Sequence, residues 1–217
     1  MKRLLGRSGW KAGAAFAALL LLVWALWPSR YANVLNLRSQ GSGIIAFGDS
    51  LTAGYGAGAG EDYPSRVSVL IGVPVENAGV SGDTTEAALV RIDRDVLSRD
   101  PRIVLVGLGG NDYLRGVDLA ATEANLRTII RRVHGAGAMV VLLGFGFPSL
   151  QADYASMYAR VAKAEGCFFV PHLLRGIETD PSLKSDEIHP NAKGYAIMAE
   201  RVAGPLRKLI RKADATR

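Results

Sequence analysis

From Gly43 onward the chain alternates short apolar runs with longer stretches whose apolar residues recur at helical spacing. The runs GIIAF (43–47), VPVENAG (73–79), RIVLVGLGG (102–110), AMVVLLGFG (138–146) and CFFVP (167–171) predict five strands. Helical patterns fall at Pro64–Ile71, Thr84–Ser98, Leu119–His134 and Ala152–Glu165, with a last one from Ala192 to about Arg211. The strand runs are mostly continuous rather than alternating, as expected of parallel strands covered on both faces. Strands and helices in alternation predict an α/β fold. The expected form is an open, doubly wound, flavodoxin-like three-layer sandwich around about five parallel strands. In such sheets the site lies beyond the carboxyl ends of the strands.

Ahead of this domain the pattern changes. The 18 residues from Ala12 to Ser29 carry no charge. A membrane-spanning helix takes about 17–25 residues, against about 7–15 for the apolar part of a signal peptide. Trp24, Leu26 and Trp27 occupy the end of the run, where a cleavage site would need small residues, and the tryptophans suit a membrane interface. Lys2, Arg3, Arg7 and Lys11 keep the N-terminus cytoplasmic. Residues 1–30 are therefore expected to anchor the chain in a membrane through residues 12–29, with cleavage and secretion as the alternative. Residues 31–42 read as a linker and 43–217 as the domain, delivered across the membrane.

Charge follows the same division. The formal net charge is +6, but residues 1–42 hold six basic and no acidic residues. The remaining 20 Lys and Arg are matched by 20 Asp and Glu, so the domain is neutral and no nucleic-acid partner is expected. The single cysteine, Cys167, excludes an internal disulfide and any cysteine-based zinc site, and its apolar run marks it as an inert thiol.

Three of the predicted strands end in chemically loaded sequence: Gly48-Asp49-Ser50-Leu51, Asn77-Ala78-Gly79 and Gly109-Gly110-Asn111-Asp112. A fourth loaded loop, SDEIHPNAKGY, precedes the last helix and carries Asp186 and His189. Taken singly, each residue has a structural reading: Ser50 or Asp49 as a helix cap, Asn111 as a turn residue, Asp186 as a cap of the last helix. Taken together they gather at the catalytic edge of one sheet. Of the three histidines, His134 reads as structural at a helix end, and His172 falls close enough to the sheet rim to line a pocket. His189 has an acid three residues earlier, which one helical turn would bring to its side, fixing the imidazole for base catalysis.

The blocks GDSL (48–51), Gly79 within NAGVSGDT, GGND (109–112) and DEIHP (186–190) resemble, in order, those of the SGNH/GDSL hydrolases. The likeness spans about Ile44 to Ile210 and is nearest the bacterial periplasmic thioesterase, lysophospholipase and arylesterase branch. The resemblance implies a serine esterase of lysophospholipids, aryl esters or thioesters, working through an acyl-enzyme and without a cofactor. Ser50 would be the nucleophile, His189 the base and Asp186 its orienting acid. The N–H groups of Ser50 and Gly79 with the Asn111 amide would form the oxyanion hole. A carbohydrate O-acetylesterase is the same-class alternative, and a non-catalytic ligand-binding module the different-class one.

The G-x-S-x-G elbow of ordinary α/β-hydrolases is missing, because Leu51-Thr52 follows Ser50. Tyr113, Phe145, Phe147 and His172 are candidate walls of a substrate pocket, and Gly54–Asp62 reads as a flexible rim loop. No metal-ligand spacing appears.

Overall fold

The computed structural model describes Tyr31 and residues 33–145 and 152–217. The apolar run Ala12–Ser29 lies outside the described residues, among which no helix is long and apolar enough to cross a membrane.

Five strands form one parallel sheet: β1 (Gly43–Gly48), β2 (Glu76–Gly79), β3 (Pro101–Gly107), β4 (Met139–Leu143) and β5 (Phe168–Val170). Their order is β2-β1-β3-β4-β5. The interior strands β3 and β4 are buried almost throughout, which is why their sequences run apolar without alternation. β2 is an edge strand with two exposed residues and is shorter than its apolar run predicts. Pro74, which lacks an N–H for a ladder, lies just outside it.

The helices are α1 (Ser50–Ala53), α2 (Tyr63–Ile71), α3 (Thr85–Asp95), α4 (Gly110–Leu114), α5 (Leu119–Gly135), α6 (Ala152–Ala164) and α7 (Ala192–Asp214). Their starts are chemically marked. Asp62, Thr84, Asp118 and Asn191 cap α2, α3, α5 and α7, each accepting a backbone N–H from the first turn. The predicted helix ending near Ser98 instead stops at Asp95 and tightens into a 3₁₀ turn at Leu97–Arg99.

After β2 the chain crosses back over β1 to reach β3, so the strand order reverses between β1 and β3. A crevice opens at such a reversal, beyond the carboxyl ends of the strands. Ser50 follows β1 and Asn111 follows β3, one on each side of it.

Residues 33–42, expected as a linker, are fastened to the domain. Leu35 N–H donates to the Gly166 carbonyl at 2.9 Å, and Asn36 Nδ2 donates to the His134 and Ala138 carbonyls. His134 is tied there too, with Nε2 3.0 Å from the Glu165 carbonyl oxygen. It clasps the base of the sheet and is remote in role from the strand ends.

Candidate active site

The turn out of β1 is built from close approaches. A Cβ on Gly48 would lie 2.1 Å from Thr52 Oγ1 and 2.5 Å from the Gly107 carbonyl oxygen, so only glycine lets α1 start so near β3. Asp49 caps α1, its Oδ1 accepting the Leu51 N–H at 3.0 Å. Ser50 is the first helical residue, so its own N–H has no acceptor within the helix.

Asp186 and His189 come from a loop between Lys184 and Pro190, which pair as an isolated antiparallel bridge. The loop makes no helical turn. Asp186 Oδ1 instead accepts the N–H groups of Ile188 (2.8 Å) and His189 (2.7 Å), folding the chain back on its own carboxylate. Asp186 Oδ2 then stands 2.8 Å from His189 Nδ1, and His189 Nε2 stands 3.0 Å from Ser50 Oγ. The backbone N–H of His189, helped by that of Ile188 and by the imidazole, holds the Asp186 carboxyl down at about 2. An ionised Asp186 keeps a proton on Nδ1, which leaves the Nε2 lone pair to accept from the Ser50 hydroxyl.

The rim loop is fastened against this group. The Tyr55 ring lies 4.5 Å from the His189 ring, and Tyr195, fully buried on α7, donates its hydroxyl to the Tyr55 carbonyl at 2.8 Å. Asn191 ties down the separate loop that carries Asp186 and His189, its Nδ2 reaching the carbonyls of Ser182 and Lys184 while its Oδ1 caps α7.

Across the crevice, Asn111 Nδ2 donates to the Asp83 carbonyl at 2.9 Å, which orients the amide and leaves its second hydrogen for a ligand. Gly79 does not present an N–H to the crevice. That N–H donates to Asn77 Oδ1 at 2.9 Å, and a Cβ on Gly79 would sit 2.2 Å from Ala53 N. Glycine stands here so that the back of α1 can rest on β2, which corrects the oxyanion expectation.

Gly82 lies three residues on, in a turn closed by the Asp83 N–H on the Val80 carbonyl at 3.2 Å, with φ 85°. It is joined through Asp83 to Asn111. The signal for it was present in SGDT, a glycine just ahead of the helix cap Thr84, but two glycines compete in that stretch.

Three carboxyl groups cluster beneath the site. Burial, with Asp83 and Asp112 adding to it against the pull of the Leu51 N–H, raises Asp49 to about 7. Asp112 is buried and accepts from the backbone and the hydroxyl of Thr85, joining α4 to α3.

The family described as the GDSL-like Lipase/Acylhydrolase family matches residues 46–197, which include every residue just described. The chain belongs to this family. Thioesterase 1/protease 1/lysophospholipase L1 of Escherichia coli is 31% identical over 202 residues, covering 86% of this chain and 94% of that protein. The arylesterase of Vibrio mimicus is 31% identical over 186 residues, covering 80% and 93%. The crystal structure of TesA superposes with a TM-score of 0.73 at 28% identity, covering 77% of this chain and 99% of that one.

In this GDSL-like acylhydrolase, Phe145 and His172 line a cavity of about 300 Å³ beyond the ends of β4 and β5, with Gly144, Ala155, Tyr158 and Pro171. His172 holds a left-handed backbone, φ 56°. Tyr113 is not among the lining residues; its ring packs edge-on against Tyr154 at 5.2 Å. Phe147 lies outside the described residues. Cys167 is half-buried, and burial pushes its thiol up to about 12, so it stays protonated and unreactive at neutral pH. Among the described residues, no cluster of three or more His, Cys, Asp or Glu is placed to hold a metal.

Proposed function

We propose that this GDSL-like acylhydrolase cleaves carboxylic esters through an acyl-enzyme formed on Ser50. The supporting observation is the unbroken line from Asp186 Oδ2 to His189 Nδ1 (2.8 Å) and from His189 Nε2 to Ser50 Oγ (3.0 Å).

Ser50 Oγ attacks the ester carbonyl as His189 Nε2 takes its proton, and Asp186 stabilises the imidazolium that forms. The oxyanion is met by the Ser50 N–H at the start of α1, by the second hydrogen of the Asn111 amide and by the Gly82 N–H. His189 then protonates the leaving alcohol or thiol, and the ester of Ser50 remains. Water then attacks the acyl carbonyl as His189 Nε2 takes its proton, the bond from the carbonyl carbon to Ser50 Oγ breaks, and His189 returns the proton to Oγ as the acid product leaves.

The names of the relatives favour lysophospholipids, aryl esters or thioesters as substrates. The charge-free stretch from Ala12 to Ser29 behind four basic residues favours an inner-membrane anchor that leaves the enzyme in the periplasm.

The test is hydrolysis of p-nitrophenyl esters from acetate to palmitate by the full chain, beside Ser50→Ala. Activity that disappears in the variant and extends to long acyl chains is expected. Activity confined to acetate would favour a carbohydrate O-acetylesterase. No hydrolysis, together with no labelling by a fluorophosphonate, would refute the hydrolase reading and leave a ligand-binding module.

A further inference from the structure

Arg91 lies on α3 and is only 8% exposed. An arginine is almost never buried to that degree unless its charge and donors are matched. Its Nε donates to Asp83 Oδ2 at 2.6 Å. One terminal nitrogen donates to the Ala78 carbonyl and to Asp95 Oδ2, each at 3.0 Å, and the other donates to the Gly48 carbonyl at 3.0 Å. The guanidinium carbon stands 4.5 Å from the centroid of the Phe47 ring, which covers one face of the group.

Asp95 and Asp83 account for the charge. They do not account for the two carbonyls, and the positions of those carbonyls are informative. Gly48 ends β1, two residues before Ser50. Ala78 lies near the end of β2, where the chain enters the turn that carries Gly82. Asp83 closes that turn, and its own carbonyl holds the Asn111 amide. One planar cation is thus bonded to the segments that bear Ser50 and Gly82, and reaches Asn111 through Asp83.

We propose that Arg91 is a positioning residue for ester hydrolysis, setting the spacing of Ser50, Gly82 and Asn111 from beneath the crevice. The proposal rests on the reading of Ser50 as the nucleophile and of Gly82 and Asn111 as oxyanion donors. Arginine suits the task because its rigid fork meets several acceptors in fixed directions, whereas a lysine ammonium is a point charge on a flexible stem. A displacement near 1 Å at a reacting centre costs about 100-fold in rate. Oxyanion donors act in the transition state rather than in binding, so the loss belongs in kcat.

The experiment compares Arg91→Lys with the wild type and with Val90→Ala, a change at an exposed neighbour on the same helix that is expected to keep full activity. Folded sites are counted by fluorophosphonate labelling and rates are expressed per labelled site. Arg91→Lys keeps a positive charge beside Asp83 and Asp95 while giving up the fork between Gly48 and Ala78. Its kcat is expected to fall about 10- to 100-fold, with KM within about twofold of the wild type. Combined with Asn111→Ala, its effect should be at least about fivefold smaller than the product of the two single losses, because both act on one donor group.

An unchanged kcat per labelled site, with only the melting temperature lowered, would overturn the proposal. So would a fully multiplicative double variant. Should Arg91→Lys fail to fold, Asp83→Asn carries the test: it retains the backbone carbonyl that Asn111 uses and removes one of the two carboxylate charges paired with Arg91, the one on its Nε. The same kcat-selective loss is expected there, and normal turnover in it would equally overturn the proposal. A wild type that neither labels nor hydrolyses any ester would refute the hydrolase reading itself, a result distinct from these.

Discussion

Replacing Gly79 by alanine tests why glycine ends β2. A Cβ at that position falls 2.2 Å from Ala53 N, 2.6 Å from Thr52 C and 2.8 Å from Ala53 Cα. All three atoms are backbone of α1, so no side chain can swing aside, and α1 must lift from the sheet. Overpacking a close-packed site costs about 1–3 kcal/mol, and contacts made only with backbone place this one near about 3 kcal/mol. For a domain of this size each kcal/mol lowers Tm by about 2–4 °C, giving an expected loss of about 6–12 °C. Because Ser50 begins α1, the same displacement pulls its hydroxyl from His189 and lowers kcat.

Gly82→Ala is the natural comparison. Its Cβ would meet only the Arg115 side chain, at 3.4 Å, so the cost comes from φ 85°. A left-handed backbone costs a residue with a Cβ about 1–2 kcal/mol, or about 2–8 °C. Thermal melts of the two variants followed by circular dichroism, with ester hydrolysis alongside, decide the matter. A Gly79→Ala protein melting within about 2 °C of the wild type, or less perturbed than Gly82→Ala, would refute the argument.

Asp49→Asn is expected to flatten part of the pH dependence of stability. With the folded carboxyl at about 7 and an ordinary value of 3.8, the folded chain holds a proton that the unfolded chain releases. Stability therefore falls as pH rises from about 4 to 7 and levels off above that, and urea midpoints at pH 5 and pH 8 should differ less in the variant; an unchanged difference would count against the buried acid. Asn111→Ala should lower kcat by about 10²–10³ with little change in Tm, and near-normal turnover would remove Asn111 from the oxyanion site. Tyr195→Phe loses the hydroxyl bond to the Tyr55 carbonyl, about 1 kcal/mol, and should raise hydrogen exchange across residues 54–57 with no change in the sheet.

Much of this architecture was legible because burial left few alternatives. β3 and β4 are covered on both faces, so their apolar runs could be read directly as strands. β2 was legible only in part, since an edge strand has one neighbour and its length is set by where pairing with β1 stops, at Glu76. The pairing of Asp186 with His189 was visible in their spacing. The means was not, because the fold of that loop depends on Asp186 accepting two backbone N–H groups rather than on a helical turn.

Gly79 and Gly82 show the limit most clearly. They are three positions apart, one ending β2 and the other in the turn that follows, and only the strand register decides which of them meets the back of α1. Arg91 was equally hidden. On α3 it reads as one more polar residue of an amphipathic helix, and nothing local marks it as buried until Asp83 and the carbonyls of β1 and β2 surround it.

The two halves of the Ser50–His189 contact are held in unlike ways. Ser50 is carried by β1, whose last five residues are buried within the sheet. Asp186 and His189 share one short surface loop, closed by the Lys184–Pro190 bridge and the hydrogen bonds of Asn191. Local opening costs least where backbone hydrogen bonds face solvent and few apolar groups are buried. Chemistry and fold accordingly have separate breaking points in this protein. Warming should unlatch the acid–base loop while the sheet stands, so that hydrolysis fades before the chain unfolds, and cooling should return it from molecules that never lost their structure.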